Sequence, residues 1–330
     1  MDKTDCLPWQ TIQWQRLDES WSRQSLPHAL LLTGIKGLGK AQFAKALASA
    51  ILCHSDSSSL IACGQCASCQ LLAADTHSDL MILEPEGKSQ QIKIDSVRAV
   101  TEFTQLTAQQ SHYQVIIIEQ ADRMNITAAN ALLKTLEEPP KETVLILISD
   151  EPAKLLATIK SRCQSVTFTA PERAVAISWL ANNEVAADSA GALLNLSADA
   201  PLQALALSEA QELDYQKQWL SAFYQLSLRK MQLLAFVKQF LAEGVQKQLR
   251  YLSLFFSDLV RYKMTEDTSA LLMQHSQNNL QAIAQRCQSQ QVFLLLDKVN
   301  EAASNVQRIS GLNPELLLES ILINWMRATQ

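Results

Sequence analysis

The segment from residue 28 to residue 52 constrains the fold of this chain more than any other. It reads HALLLT, then GIKGLGKA, then QFAKALASAIL, so that an apolar run is followed by three closely spaced glycines and by apolar residues at helical spacing. This order predicts a strand, a glycine loop and a helix. The loop matches the phosphate-binding pattern G-x-x-x-x-G-K-[ST] except at its last position, where Ala41 replaces the hydroxyl residue.

Short apolar runs and helical segments alternate as far as residue 170. The further candidate strands are residues 80–83, 115–118, 144–148 and 166–168. Segments with helical patterning lie between them, at 95–107, 125–138 and 152–160. Strands without polar alternation are typical of a parallel sheet that is buried on both faces. The sequence therefore predicts an α/β domain with a parallel sheet between layers of helices.

The pattern changes after Pro171, where β-branched runs stop and helical periodicity continues almost to the last residue. A small helical unit is expected over 171–209, and longer amphipathic helices from about residue 210. In the last of these helices, Asn313 suits the N-cap and Pro314 the first helical position. We expect three domains, with bounds 1–170, 171–209 and 210–330.

Composition and charge limit the partners and the location. With 48% hydrophobic and 18% charged residues, the 330-residue chain can bury a large core. The net charge of -5 gives no general basic field, so the chain alone should bind nucleic acid poorly. No apolar run approaches the roughly 18 residues of a membrane span, and the N-terminal segment lacks the apolar stretch of a signal peptide. We expect a cytoplasmic protein without membrane contact.

The glycine loop contains most parts of a nucleotide site. Backbone N–H groups around Gly34, Gly37 and Gly39 would face a phosphate at a helix N-terminus, and Lys40 would reach the β and γ phosphates. Ala41 cannot supply the hydroxyl oxygen that helps to hold Mg²⁺. The simpler alternative is a tight turn between strand and helix. It is disfavoured because three of only eight glycines lie in this loop.

The strand at 115–118 ends in Glu119 and Gln120. In an active ATPase with such a phosphate-binding loop, an Asp at the first of these positions binds Mg²⁺ and a Glu at the second polarises the attacking water. Glu119 keeps the negative charge, but Gln120 cannot accept a proton at neutral pH. Taken alone, this segment fits a strand that runs into a polar turn as well as it fits an altered ATPase motif. Together with Ala41, it indicates a loss of hydrolysis.

Arg162 stands in the tripeptide Ser161-Arg162-Cys163, just before the last candidate strand. A lone arginine on a surface turn is usually a solvated charge. At this place in an oligomeric ATPase, it would be an arginine finger that enters the nucleotide site of the neighbouring subunit. A subunit can thus lose its own catalysis and remain necessary for that of its neighbour.

Four of the seven cysteines lie close together, at Cys53, Cys63, Cys66 and Cys69. Four thiolates suit a tetrahedral, structural Zn²⁺ site. A ferredoxin-type cluster would need another cysteine after three intervening residues, where Ala73 stands. Four unrelated buried cysteines are the remaining alternative. His54 and His77 are spare ligands if Cys53 is out of reach.

Several motifs together resemble the clamp-loader subunits of bacterial DNA polymerase III, which belong to the AAA+ class. They are LPHALLLTGIKGLGKAQFAKALA, the cysteine insertion, VIIIEQAD, AANALLKTLEEPP, TVLILISDEP, TIKSRCQSVTF and, more loosely, GLNPELLLESILINW. The resemblance is dense over residues 9–170. It implies a nucleotide-fold domain with a zinc module, a helical lid, and a helical C-terminal domain that joins a collar of five subunits.

The resemblance also implies function and partners. Such complexes belong to the DNA-directed DNA polymerase holoenzyme, and they open the sliding clamp and place it on primed DNA with gamma/tau and delta subunits. Ser149 occupies the sensor-1 position of the family. Gln203 stands where motor subunits tend to carry a sensor-2 arginine. Lys40 is retained, so passive ATP binding remains open.

Two functional hypotheses follow. The first is a non-hydrolysing stator that donates Arg162 to a neighbouring ATPase subunit and supports ATP-dependent clamp loading. The second is an ATP-hydrolysing motor subunit of the gamma/tau type, which Ala41, Gln120 and Gln203 each disfavour. A free zinc-containing DNA-binding protein is disfavoured by the acidic net charge.

Overall fold

A computed structural model defines the fold. It describes residues 6–55, 58–85, 87, 91–140, 142–268, 271–273, 277–308 and 313–329. The strands are β1 (Ala29–Thr33), β2 (Leu80–Leu83), β3 (Gln114–Ile118), β4 (Thr143–Ser149) and β5 (Gln164–Thr167). The helices are α1 (Thr11–Ser22), α2 (Lys40–Leu52), α3 (Ala67–Ala73), α4 (Ile94–Gln105), α5 (Ile126–Glu137), α6 (Ala157–Lys160), α7 (Arg173–Asn182), α8 (Ala187–Leu196), α9 (Pro201–Glu209), α10 (Glu212–Ser227), α11 (Leu233–Phe240), α12 (Val245–Thr265), α13 (Gln277–Ala284), α14 (Ser289–Arg308) and α15 (Pro314–Ala328).

The five strands form one parallel sheet in the order β2-β3-β4-β1-β5. Every residue of β1, β3 and β4 is buried, as expected for apolar runs without alternation. The register of β1 against β4 sets Thr33 opposite Ser149. The segments that follow these two residues therefore leave the sheet side by side at its carboxyl edge.

Two cores cover the two faces of this sheet. Leu30 and Leu32 of β1 pack with Phe43 and Leu47 of α2 on one face. On the other face, Leu31 lies in a core with residues of α4 and α5, among them Leu132. Period-two burial on both faces explains why β1 needs apolar residues at every position. The predicted α/β class with a parallel sheet is confirmed.

Two local expectations differ from the structure. The residues of β5 are mostly exposed, because this strand lies at the sheet edge and carries Gln164, Ser165 and Thr167. The segment 152–160 is not one helix. It forms a 3-10 turn at Pro152–Lys154 and the short α6, and the extended backbone of Leu155 and Leu156 separates them.

The chain divides into two compact units, one of residues 1–179 with 199–203 and one of residues 180–198 with 204–330. The division into three domains stays a prediction. The second unit is helical throughout its described part, in agreement with the predicted all-α region. None of the helices that the structure describes is both long and apolar enough to cross a bilayer.

The core of the second unit is built around stacked aromatic rings, which we call the aromatic stack: Trp219, Phe223 and Trp325. The rings of Trp219 and Phe223 stack at 4.7 Å, and those of Phe223 and Trp325 lie 5.8 Å apart at 17°. All three side chains are fully buried. Each indole N–H donates at 2.8 Å, that of Trp219 to Gln248 Oε1 and that of Trp325 to Ser227 Oγ, so neither polar group is buried without a partner.

The last helix begins as the sequence predicts. The side chain of Asn313 accepts hydrogen bonds from the backbone N–H groups of Glu315 and Leu316, and Pro314 occupies the first helical position. The first two residues of the GLNPELLLESILINW motif lie outside the described residues.

Candidate functional site

The glycine loop connects β1 to α2 and is closely packed by its own domain. Gly34 has φ 146, and a Cβ atom there would lie 2.4 Å from the carbonyl oxygen of Phe168. Gly37 has φ 89, and a Cβ atom there would lie 2.6 Å from Cβ of Gln203. Both positions therefore require glycine for backbone conformation and for space.

Lys40 is the first residue of α2, and its side chain points back into the loop. Its Nζ donates to the carbonyl oxygens of Gly34 at 2.6 Å and Ile35 at 2.8 Å, and to Oδ1 of Asp150 at 2.6 Å. The side chain is only 3% exposed. An ammonium group has three N–H donors. Three acceptors of this chain therefore use all three N–H donors of the Lys40 ammonium group.

Further contacts fix the loop from two sides. The buried side chain of Gln10 donates through Nε2 to the carbonyls of Leu38 at 2.9 Å and Gly39 at 3.0 Å. From the other side, the N–H of Leu202 donates to the carbonyl of Gly37 at 3.1 Å. Residues far apart in sequence thus hold the loop in one conformation.

Ala41, Glu119 and Gln120 occupy the positions that would serve Mg²⁺ and the attacking water in an active ATPase. Ala41 is partly buried against the apolar core. The carboxylate of Glu119 lies 3.8 Å from Nζ of Lys45. Burial raises the pKa of Glu119 above its usual value, Lys45 opposes this effect, and Glu84 adds to it. Gln120 has φ 48 and leads into the 3-10 turn Ala121–Arg123.

Ser149 ends β4, and its hydroxyl group is bound within the domain. Its Oγ donates to Oδ1 of Asp122 at 2.7 Å, and the N–H of Asp150 donates to the same oxygen at 3.1 Å. Asp122 therefore fixes the backbone from which the Asp150 side chain reaches Lys40. These contacts connect the glycine loop, the segment after β3 and the end of β4 through Lys40, Asp150, Asp122 and Ser149.

Asp122 and Asp150 were not among the predicted site residues. What could have indicated them is their position along the chain. Both follow buried strands of the parallel sheet, where side chains meet at the carboxyl edge. The acidic residue directly after Ser149 is at the same carboxyl edge as the glycine loop, which makes it a candidate partner for Lys40.

Arg162 follows α6 and lies at the surface. Its Nη2 is 2.7 Å from Oε1 of Glu137, and its Nη1 donates to the carbonyl oxygen of Thr158 at 3.0 Å. Glu137 is the last residue of α5 and belongs to the AANALLKTLEEPP motif. The arginine side chain is 35% exposed and its partner 49%. A surface pair of this kind contributes at most about 1 kcal/mol to stability, so Arg162 is accessible to another molecule at low cost.

The four predicted cysteine ligands lie together. Cys53 follows α2, Cys63 lies in the next loop, and Cys66 and Cys69 stand at the start of α3. Their Sγ atoms all lie within 4.8 Å of one another, and the pairs Cys53–Cys66 and Cys63–Cys69 are 3.9 Å apart. Residues 56 and 57 of this module lie outside the described residues.

This geometry fits a tetrahedral metal site. Four thiolates at the Zn–S distance of about 2.3 Å would have their sulfur atoms roughly 3.8 Å apart. Burial alone would raise the pKa of Cys53, but hydrogen bonds from Ser55 and Cys63 outweigh it and lower the pKa to about 6. The Cys53 thiol is therefore readily deprotonated for metal binding, whereas burial raises the pKa of Cys69 to about 12. The cluster can therefore hold a metal ion with soft-ligand preference.

The two spare histidines are engaged elsewhere. Nδ1 of His77 accepts the N–H of Asp79 at 3.1 Å, so its Nε2 carries the proton and donates to Ser68 Oγ at 2.8 Å. Nε2 of His54 lies 2.6 Å from the carbonyl oxygen of Gln110. Cys53 is within reach of the other thiols, so neither histidine is needed as a ligand.

Two family models match this chain. Residues 9–172 match a model described as DNA polymerase III, delta subunit. Residues 210–327 match a model described as DNA polymerase III, delta subunit, C terminal. The matched residues include the glycine loop, the cysteine cluster, Ser149 and Arg162.

Relatives of known identity match over nearly the whole length. The DNA polymerase III subunit delta' of Pseudomonas aeruginosa is 33% identical over 97% of this chain and 97% of its own length. The corresponding protein of Haemophilus influenzae is 32% identical over 96% and 95%, and that of Escherichia coli is 38% identical over 61% and 60%. With this identity over this length, the chain belongs to the delta' family of DNA polymerase III clamp-loader subunits.

Proposed function

We propose that this clamp-loader subunit is a stator that does not hydrolyse ATP and that offers Arg162 to the nucleotide site of a neighbouring ATPase subunit. This proposal rests mainly on the hydrogen bonds of Lys40. Three acceptors of the chain itself bind its ammonium group, which a bound phosphate would otherwise contact. Ala41 and Gln120 support the proposal, since Mg²⁺ would lack a hydroxyl ligand and the attacking water would lack a base.

Arg162 is proposed to act in trans. Its guanidinium is partly exposed and contacts Glu137 and the carbonyl oxygen of Thr158, which a partner can replace at low cost. A planar guanidinium can stabilise charge on a transferring phosphoryl group through paired hydrogen bonds. The chain would thus contribute to a hydrolysis step that it cannot perform alone.

The partners follow from this role. We propose that the helical C-terminal region joins gamma/tau and delta subunits in a collar, and that the assembled complex places a sliding clamp on primed DNA. We also propose that Cys53, Cys63, Cys66 and Cys69 hold a structural Zn²⁺, because four thiolates leave no open coordination position for catalysis. The role in replication places the chain in the cytoplasm, where bacterial DNA lies.

The alternative is an ATP-hydrolysing motor subunit. Against it stand Ala41, Gln120 and also Gln203, whose Cβ packs on Gly37 where motor subunits tend to carry a sensor-2 arginine. Retention of Lys40 alone does not favour this function, because Lys40 has a structural partner in Asp150.

We expect the isolated chain to hydrolyse no ATP above background, with or without primed DNA, because both catalytic positions are lost. The measurement is a phosphate-release assay on the purified chain. Lys40→Met is the matched control, since any activity that persists in this variant comes from a contaminant. Lys40-dependent turnover at about 1 s⁻¹, the low end of ordinary enzymes, would contradict the stator function.

A further inference from the structure

The ion pair between Lys40 and Asp150 lies where a bound phosphate would otherwise neutralise the loop lysine. Nζ of Lys40 is 2.6 Å from Oδ1 of Asp150. The lysine side chain is 3% exposed, whereas that of Asp150 is 30% exposed. The ammonium is therefore enclosed by protein, and the carboxylate closes its solvent side.

Asp150 is held in place by the fold. Thr33 and Ser149 are opposite one another in the sheet, so Gly34 and Asp150 leave it as neighbours. Oδ1 of Asp122 accepts the N–H of Asp150 and the hydroxyl proton of Ser149. A side chain fixed in this way loses little entropy when it pairs with Lys40, in contrast to a flexible surface pair.

A buried ammonium without a counter-charge is strongly unfavourable. In a phosphate-binding loop, the ligand supplies that charge. We infer that Asp150 is a built-in anionic ligand of this loop, and that its carboxylate excludes phosphate and nucleoside polyphosphates from Lys40. The missing hydroxyl at Ala41 and the missing carboxylate at Gln120 do not cause this exclusion. Ala41 and Gln120 then account for the absence of hydrolysis, and Asp150 for the absence of binding. Because this loop is the site of the proposed stator function, the inference rests on that function.

Removal of the carboxylate should convert the loop into an anion site. In Asp150→Ala, the ammonium of Lys40 keeps its two carbonyl acceptors but loses its counter-charge. The position of the deleted carboxylate is open to solvent, since Asp150 is partly exposed. A small phosphate-type anion can then take the place of the carboxylate and restore the charge balance.

The test compares thermal unfolding of the full chain with and without inorganic pyrophosphate at constant ionic strength. We expect no response from the unchanged protein. Asp150→Ala should unfold several degrees lower, and pyrophosphate should recover about half of that loss or more, as expected for a ligand that binds only the folded state. Titration calorimetry should show one pyrophosphate site in the variant.

Two further variants control for general effects. Glu151→Ala removes a neighbouring acidic side chain that pairs with Lys154 at the surface, and it should respond to pyrophosphate no more than the unchanged protein. The double variant Lys40→Met with Asp150→Ala lacks the ammonium, so its response should disappear. If Asp150→Ala does not fold, Asp150→Asn keeps the side-chain size and provides the same comparison with a smaller response.

The inference would be overturned if folded Asp150→Ala and Asp150→Asn proteins showed no change of unfolding temperature with pyrophosphate. An equal change in the unchanged protein would also overturn it. A response that persists without Lys40 would do the same. The stator function is tested separately: Asp150→Ala retains Ala41 and Gln120, so it should bind ATP or pyrophosphate without hydrolysing ATP. Lys40-dependent ATP hydrolysis by the unchanged chain would reject the stator function, whatever the outcome of the binding experiment.

Discussion

We expect Arg162→Ala to lower ATP hydrolysis by about 10³-fold or more at one nucleotide site of a reconstituted clamp-loader complex, the site that faces this subunit. The expected size is that of an arginine finger in other oligomeric nucleotidases. The fold should be unaffected, because Arg162 is a surface residue whose ion pair with Glu137 contributes at most about 1 kcal/mol. Single-turnover hydrolysis by the complex, measured with clamp and primed DNA, provides the readout.

The matched control for this experiment is Arg23→Ala. Arg23 is also an exposed arginine paired with a glutamate, Glu19, at 3.9 Å, and its loss should leave clamp loading unchanged. Arg162→Lys should recover the activity only in part, because a point-charge ammonium cannot reproduce the planar guanidinium. If the assembled Arg162→Ala complex hydrolyses ATP and loads clamps at the normal rate, Arg162 is a solvated charge.

Removal of the metal should have the largest effect on stability. We expect one Zn²⁺ per chain, and we expect Cys66→Ser to lose it and to loosen residues 53–69. Apparent zinc-binding free energies in small thiolate sites reach about 10–16 kcal/mol. The second unit should stay folded, because its aromatic core shares no residue with the cysteine cluster. Elemental analysis and limited proteolysis measure the two effects.

Serine at position 66 separates metal loss from helix capping. Sγ of Cys66 accepts the N–H of Cys69 at the start of α3, and serine is among the preferred residues for this N-cap role. Cys6→Ser, outside the cluster, is the matched control and should keep the metal. Protein purified without chelator that contains no zinc would show that the four thiols do not form a zinc site.

The order of strands and helices was predictable because it depends on local periodicity. The apolar runs at 115–118 and 144–148 lie within β3 and β4, since every position of a strand covered on both faces must be apolar. The exposure of β5 was not predictable in this way. It depends on the edge position of the strand, which is a property of sheet order and not of the segment itself.

The same distinction applies to the site. The spacing of Cys63, Cys66 and Cys69 predicts proximity, because all three lie within one loop and the first turns of a helix. The partner of Lys40 is 110 residues away. Only the pairing of β1 with β4 brings Asp150 to the loop, and no local pattern carries that information. The replacements at Ala41 and Gln120 were therefore visible in local motifs, whereas the carboxylate that pairs with Lys40 was not.

The aromatic stack in the second unit gives the protein an internal optical probe. Trp219 and Trp325 are fully enclosed and lie nearly parallel to the ring of Phe223. Rigid, closely spaced rings in an asymmetric surrounding produce strong near-ultraviolet circular dichroism, and buried indoles fluoresce at short wavelength. In a variant whose four other tryptophans are replaced, loss of these signals would report melting of the helical core. In a mixture with partner subunits, the same signals would show, without an attached dye, whether that core stays folded.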